Sequence, residues 1–368
     1  MRIKAAILKE FLNPLVVEEI ELDDKLRGGD VLVKVVATGL CHTDIHPTKG
    51  DMPMPIPIVL GHEGAGIVEK VGAGVTMVKP GDHVVLSVAP YCGKCPRCVA
   101  GKPYICDLAQ ECLFGGVLLD GSTRIKTKDG QDLYHFFAQS SFAEYCVVDE
   151  RTAIKIRDDA PLDRACLFGC GITTGLGAVL NTAKVEVNSS VAVFGCGGVG
   201  LATIIGAKIA RANPIIAVDI LESKLEAAKE LGATHSINPA KKEDPVQRIG
   251  MITDRGVDYS FEAVGNVELQ AQAADVLAPG GVMVIVGAAP MGARAGFDTM
   301  SMIFDRTIKG TAAGNMRPTV DIPRNVDLYM QGLVPLDKLI TRTYRIEQIN
   351  EAMEAVLKGE VLRCVILW

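Results

Sequence analysis

The sequence predicts an α/β protein of two domains, a β-rich domain built from both ends of the chain and a doubly wound parallel sheet between them. Three observations predict it. Residues 1–90 carry short β-branched runs bounded by glycine and proline. From residue 171, strand-like runs alternate with helix-like ones, the pattern of a parallel sheet covered on both faces. A glycine-rich turn, Gly195-Cys196-Gly197-Gly198-Val199-Gly200, separates the first of those strands from its helix. At 368 residues the chain is long enough for two cores.

In the first domain, Val31–Val36 and Gly66–Val71 are strand-like, and Pro80-Gly81-Asp82 turns the chain into the strand Val84–Leu86. Met52 to Pro57 alternates with proline and is expected to be an extended loop. Residues 112–135 are polar and glycine-rich and are expected to form a long surface excursion. In the second domain, strands are predicted at 191–194, 215–218, 257–261 and 282–286, with helices at 201–210 and 222–231. The remainder, 314–368, has helical stretches and closes on a strand, Val365-Ile366-Leu367, expected to return to the first domain. The limits are therefore 1–171 with 314–368 for one domain and 172–313 for the other.

Hydrophobic residues make up 48% and charged residues 22%, an ordinary globular balance. A net charge of -6 argues against nucleic acid as a partner. No run approaches the roughly 20 apolar residues that span a bilayer, and the N-terminal stretch lacks a secretory pattern. A cytoplasmic location without membrane contact is expected. Eleven cysteines in such a chain point to metal or free thiols rather than disulfides.

Cys92, Cys95, Cys98 and Cys106 form a C-x2-C-x2-C-x7-C cluster. Four thiolates at that spacing close a tetrahedral zinc shell, and a lobe of about 90–107 would be held by it rather than by a core. Disulfide pairs and a nucleic-acid zinc ribbon are the alternatives. Cys41, His62 and Cys170 lie in distant segments. Two sulfurs and an imidazole leave a fourth position open, the pattern of a catalytic zinc. Cys112, Cys146, Cys166, Cys196 and Cys364 read as small buried residues.

In the glycine-rich turn, Gly195, Gly197 and Gly200 permit a tight turn, close approach of a pyrophosphate, and close packing of helix on strand. The helix N-terminus offers unpaired N–H groups to phosphate. Asp219, nineteen residues past Gly200, ends the second strand. Its carboxylate can accept from a ribose and would repel a 2′-phosphate, so NAD is favoured over NADP.

Gly39-Leu40-Cys41-His42-Thr43-Asp44-Ile45-His46, the complete pattern Gly61-His62-Glu63-Gly64-Ala65-Gly66, and Gly169-Cys170-Gly171 together resemble the zinc-dependent medium-chain alcohol dehydrogenases over essentially the whole chain. The resemblance implies a GroES-like catalytic domain and a Rossmann domain, with the active site in the cleft between them. It implies two zinc ions and NAD, and an alcohol whose zinc-acidified hydroxyl gives up hydride. Glu63 matches an acid beside the metal and able to exchange onto it, and Asp44 the acid that orients the ligating imidazole. Thr43 matches the hydroxyl that touches substrate, and His46 the base ending a proton relay that runs by way of the cofactor ribose. His42, Thr174, Val199, Lys224 and Arg363 match cofactor contacts, Arg363 at the pyrophosphate.

By position in the family pattern, Met52, Val88, Phe136, Phe137 and Ala288 line the substrate pocket. All are apolar, so an apolar tail is expected. Val88 stands where ethanol-active relatives often carry a larger aromatic residue. The surroundings of Cys41 and of 135–145 resemble benzyl-alcohol-type enzymes, which puts bulky aromatic or allylic primary alcohols first. A glutathione-dependent formaldehyde dehydrogenase is second, since Asp107, Leu108, Ala109 and Gln110 supply no arginine after Cys106. A nicotinoprotein that keeps its NAD is a further reading. So is a zinc-stabilised structural protein on the same fold, which would have lost Cys41, His62 or Cys170. The long 112–135 segment favours a homodimer, with a homotetramer as the alternative.

Overall fold

The structure is a computed structural model and describes residues 1–52 and 54–368. It divides into two compact units, one of 1–170 with 317–368 and one of 171–316.

The first unit holds a closed barrel and a seven-stranded sheet. The barrel runs Arg2–Leu8, Val16–Leu22, Ile125–Lys126, Asp132–His135 and Ile58–Val59, which pairs back onto Arg2–Leu8. Closure leaves no free edge, and Ile3, Ala5, Ile7, Ile20, Leu22, Ile125 and Leu133 fill one side of it. The sheet is centred on the long strand Asp30–Leu40. That strand pairs with Gly64–Val71, with Tyr145–Asp149 and with the C-terminal strand Arg363–Leu367. The chain end therefore does return to the first domain, in antiparallel register with Val365 opposite Gly39.

The stretch 112–135 departs from its expectation. It is not a surface excursion. It begins inside the helix Ala109–Gly115, then supplies two barrel strands, and buries Cys112, Leu118, Leu119, Ile125 and Leu133. The glycines that make it look like loop mark the turns between these pieces, while the alternation Asp132-Leu133-Tyr134-His135 is that of a strand with one buried face. The stretch Met52–Pro57 contains neither helix nor strand among its described residues, and Pro53 lies outside them.

The second unit is a six-stranded parallel sheet. Its order is His235–Ile237, Ile215–Val218, Val191–Phe194, Val257–Glu262, Leu277–Ile285, Thr307–Gly310. In chain order this is 3-2-1-4-5-6, the Rossmann arrangement, with its switch point between Val191–Phe194 and Val257–Glu262. The first two strands are wholly buried, as a sheet covered on both faces demands. The helix Glu222–Leu231 buries Leu225, Ala228 and Leu231 and leaves its charges in water. The helix after the glycine-rich turn starts at Gly198, three residues earlier than its apolar run suggests, because the turn is itself the first helical turn.

Candidate active site

Cys41 leaves the end of Asp30–Leu40 and is the N-cap of the helix His42–Lys49. Asp44, at the third helical position and fully buried, reaches back to accept the Cys41 N–H at 2.9 Å. Its other oxygen accepts the Gly61 N–H at 3.2 Å and the His62 Nδ1–H at 2.8 Å. One carboxylate thus joins two of the three segments that carry the proposed ligands, those of Cys41 and His62, and fixes the His62 tautomer. The Nε2 of His62 is buried and has no partner. Donor atoms of Cys41, His62, Glu63 and Cys170 all lie within 4.8 Å of one another.

The protons in this cluster are displaced from their ordinary places. The Cys170 thiol and the neighbouring His62 hold Cys41 well below the usual thiol range. Cys41 in turn drives Cys170 well above it. Burial works against a charged His62, yet Asp44 and Cys41 outweigh it and raise its pKa. A site with an orphaned imidazole nitrogen and two neighbouring sulfurs has the donor set of a zinc ion.

Glu63 is fully buried and forms an ion pair with Arg363, itself 5% exposed. The structure thus places Arg363 beside the candidate metal site, where the sequence suggests only a phosphate contact. Its Nε has no partner. Thr43 is half-buried, with its hydroxyl 3.7 Å from Cys41 Sγ. His46 is half-exposed, 3.8 Å from the Asp51 carboxylate. His42 is exposed at the helix start.

Phe137 lies against the His62 ring, centroids 5.2 Å apart and tilted by 32°. Phe136 meets the same ring edge-on at 5.5 Å. Val88 is buried, and its N–H donates to the carbonyl of Gly169, next to Cys170. Met52 is half-buried against the apolar cluster that contains Phe136. These four pocket residues belong to the first unit; Ala288 lies in the second, exposed just after the strand Leu277–Ile285. Sequence reasoning passed over Gln139, a wholly buried amide two residues beyond Phe137. Its one signal is a polar triplet, Gln139-Ser140-Ser141, set between aromatic residues.

The four lobe cysteines also converge within 4.8 Å. Backbone N–H groups of Cys92, Cys95 and Cys98 each point at a neighbouring sulfur, at 3.3 to 3.5 Å. The N–H groups of Asp107 and Cys98 pull the Cys95 thiol down to about 6. Such donors favour thiolates, so the lobe also fits zinc. The other five cysteines are buried and unpaired with one another.

In the second unit, Gly195 has φ +93°, and a Cβ on Gly200 would lie 1.8 Å from the Gly195 carbonyl oxygen. A Cβ on Gly197 would meet nothing within 4 Å, so that position is open to a ligand. The helix Gly198–Ile209 begins there with no side-chain cap and no acid in its first turn, which suits a pyrophosphate. Asp219 accepts the Cys196 N–H at 2.8 Å and the Leu221 N–H at 2.9 Å. It holds the turn with both oxygens. Lys224 is half-buried in the following helix. Thr174 and Val199 are brought close because Gly175 lets its helix pack on the Val199 carbonyl.

A GroES-like unit that carries a Cys–His–Cys donor set and a four-cysteine lobe, together with a Rossmann unit in the same chain, defines a zinc-dependent dehydrogenase that uses a nicotinamide cofactor. Residues 27–158 match the alcohol dehydrogenase GroES-like domain, and residues 198–329 the zinc-binding dehydrogenase domain. S-(hydroxymethyl)glutathione dehydrogenase of Paracoccus denitrificans is 40% identical, covering 100% of both chains. Alcohol dehydrogenase 1 of Pisum sativum is 42% identical over 100% of this chain and 97% of its own. Among solved structures, benzyl alcohol dehydrogenase from Acinetobacter calcoaceticus superposes with a TM-score of 0.95 at 41% identity, covering 100% of this chain and 99% of that one. The chain belongs to the zinc-dependent medium-chain alcohol dehydrogenase family, and its cofactors are zinc and NAD. It is an enzyme, which sets aside the structural-protein reading. No single helix among the described residues is long and apolar enough to cross a membrane.

Proposed function

We propose that Cys41, His62 and Cys170 hold the catalytic zinc and that a primary alcohol is oxidised to the aldehyde there. The observation that carries this is the buried, partnerless Nε2 of His62, locked by Asp44 and facing two sulfurs. When bound, zinc makes a hydroxyl acidic at neutral pH and NAD accepts the hydride. The chain's own work is to place and discharge. Phe136, Phe137 and Val88 supply a dry wall for the substrate. Thr43 would take up the hydroxyl proton while passing its own on by way of the cofactor ribose, and His46, three residues on in the same helix, would accept it at the edge of the site. Glu63 and Arg363 balance charge beside the sulfurs. In the second unit Asp219 selects NAD, Lys224 supports it, and the turn 195–200 takes the pyrophosphate.

The substrate is the finer question, and the curated relatives favour the reading that the sequence places second. The Paracoccus relative is named for S-(hydroxymethyl)glutathione and matches end to end, so we put that thiol adduct first. The aromatic reading is supported by the Phe136 and Phe137 rings against His62 and by the similarity to a benzyl alcohol dehydrogenase. Steady-state rates with NAD on benzyl alcohol, and on formaldehyde with and without glutathione, separate the two. A rate that requires glutathione supports the first reading; benzyl alcohol oxidised at a far higher kcat/KM supports the second. NAD retained through gel filtration would mark a nicotinoprotein.

A homodimer in the cytoplasm completes the proposal. The edge strand Thr307–Gly310 has a single neighbour, and Met300, Ile303 and Phe304 beside it are 55 to 66% exposed. Phe304→Glu should shift the mass measured by light scattering to that of one chain; an unchanged mass refutes this face.

A further inference from the structure

Gln139 is fully buried, in a segment where three residues other than glycine have positive φ: Phe137 at 51°, Ala138 at 56° and Ser140 at 61°. Such backbone persists only where its surroundings hold it. They do so here. The Ser140 hydroxyl accepts the Phe136 N–H at 3.0 Å and donates to the Val59 carbonyl at 2.8 Å. The Ser141 N–H donates to the Gly61 carbonyl at 3.0 Å. The result is a side-chain amide aimed at the back of the metal-ligating segment. Gln139 Nε2 donates to the His62 carbonyl at 3.0 Å and to the Ser87 carbonyl at 3.2 Å. Its Oε1 accepts the Gly64 N–H at 3.4 Å.

Both amide protons and the amide oxygen are thus used, on three backbone groups of two separate segments. Two flank Glu63, on the segment that carries His62. The third adjoins Val88, whose N–H reaches Gly169 beside Cys170. Only a primary amide of this length offers two donors and one acceptor in this arrangement. A glutamate would turn an oxygen on a carbonyl, and a methionine would leave two buried carbonyls unpaired.

We propose that Gln139 is a positioning residue for the catalytic metal centre, fixing the backbone of His62–Gly64 against Ser87 so that the His62 and Glu63 side chains face Cys41 and Cys170. Asp44 sets the ring from its Nδ1 side; Gln139 sets the main chain from which the ring hangs. The proposal rests on the zinc reading of Cys41, His62 and Cys170.

The test uses Gln139→Met, close in volume, and Gln139→Asn, which keeps the amide one methylene short. Cobalt(II) replaces zinc at the Cys41–His62–Cys170 centre, and its visible ligand-field band is recorded. Loss of zinc to a chelator is timed, with the four-cysteine lobe as internal control. Both variants should shift the cobalt band and release the catalytic metal about 10–100-fold faster, while the lobe keeps its zinc. Their kcat should fall more than KM rises. A lowered Tm with an unchanged cobalt band and unchanged metal release would make Gln139 a packing residue and overturn the proposal. If Gln139→Met does not fold, Gln139→Asn carries the same two readings. Unsubstituted protein that takes up metal only in the lobe would refute the zinc reading instead.

Discussion

At the scale of single residues, the molecule concentrates several duties in a few acids. Asp44 accepts on both oxygens, from Cys41 on one and from Gly61 and His62 on the other. Asparagine offers one acceptor, so one face of Asp44→Asn would set an NH2 against a donor. The variant should bind catalytic zinc about 10–100-fold more weakly, measured by chelator competition, with lobe zinc unaffected. Equal affinity would mean that the carboxylate does not orient His62. Asp219 is doubly used in the same way, at the Cys196 and Leu221 N–H groups. Asp219→Gly removes the charge that opposes a 2′-phosphate and also loosens the turn. The ratio of kcat/KM for NADP to that for NAD should rise by about tenfold or more, a shift of ~1.4 kcal/mol, even as turnover with both falls. An unchanged ratio would remove Asp219 from cofactor selection.

At the scale of elements, the two zinc sites differ in what surrounds them. The lobe has little beneath it: within 90–107 only Pro90, Cys92 and Cys106 are buried, and its one α-helix, Pro96–Val99, buries none. The proposed catalytic ligands hang instead from a sheet strand, a helix cap and a packed segment. Cys98→Ser should therefore leave one zinc per chain and lower Tm by several degrees, while Cys41→Ser should leave one zinc, abolish activity and barely move Tm. Metal analysis and calorimetry check this, and identical behaviour would collapse the division into two sites. The same contrast explains what could be read from the sequence. The proposed metal ligands and the glycine turn stand out in the sequence, because the chemistry they suit tolerates few residue types, and the structure does bring those cysteines and His62 together. The strands at 191–194 and 215–218 were equally plain, since burial on both faces leaves only apolar residues. The segment 112–135 was not, because half of each barrel strand faces water and closure with Ile58–Val59 depends on pairing across more than seventy residues. Gln139 was invisible for a related reason: its three partners are backbone groups, which carry no residue identity.

At the scale of the whole molecule, acid stability can be argued from one histidine. His135 ends a barrel strand and is 1% exposed. Its Nε2 accepts the Arg124 N–H at 3.2 Å, and its Nδ1 has no partner. Burial, aided by the Arg124 charge, pushes its pKa down to about 3, whereas an unfolded chain titrates near its ordinary value. The folded state keeps His135 neutral, so between those two values the unfolded state binds one more proton. The contribution is full above about pH 6.5 and is lost as the pH falls through the window toward 3, at about 1.4 kcal/mol per pH unit. His135→Gln keeps an acceptor for the Arg124 N–H and does not titrate. Urea unfolding of both proteins at pH 7.5 and 5.0, in the same excess of zinc, isolates this group as a double difference. Going from the higher to the lower pH, the unsubstituted protein should lose about 2 kcal/mol more than the variant. Equal losses would mean that His135 is protonated within the fold, which would require the barrel to admit water at its partnerless Nδ1.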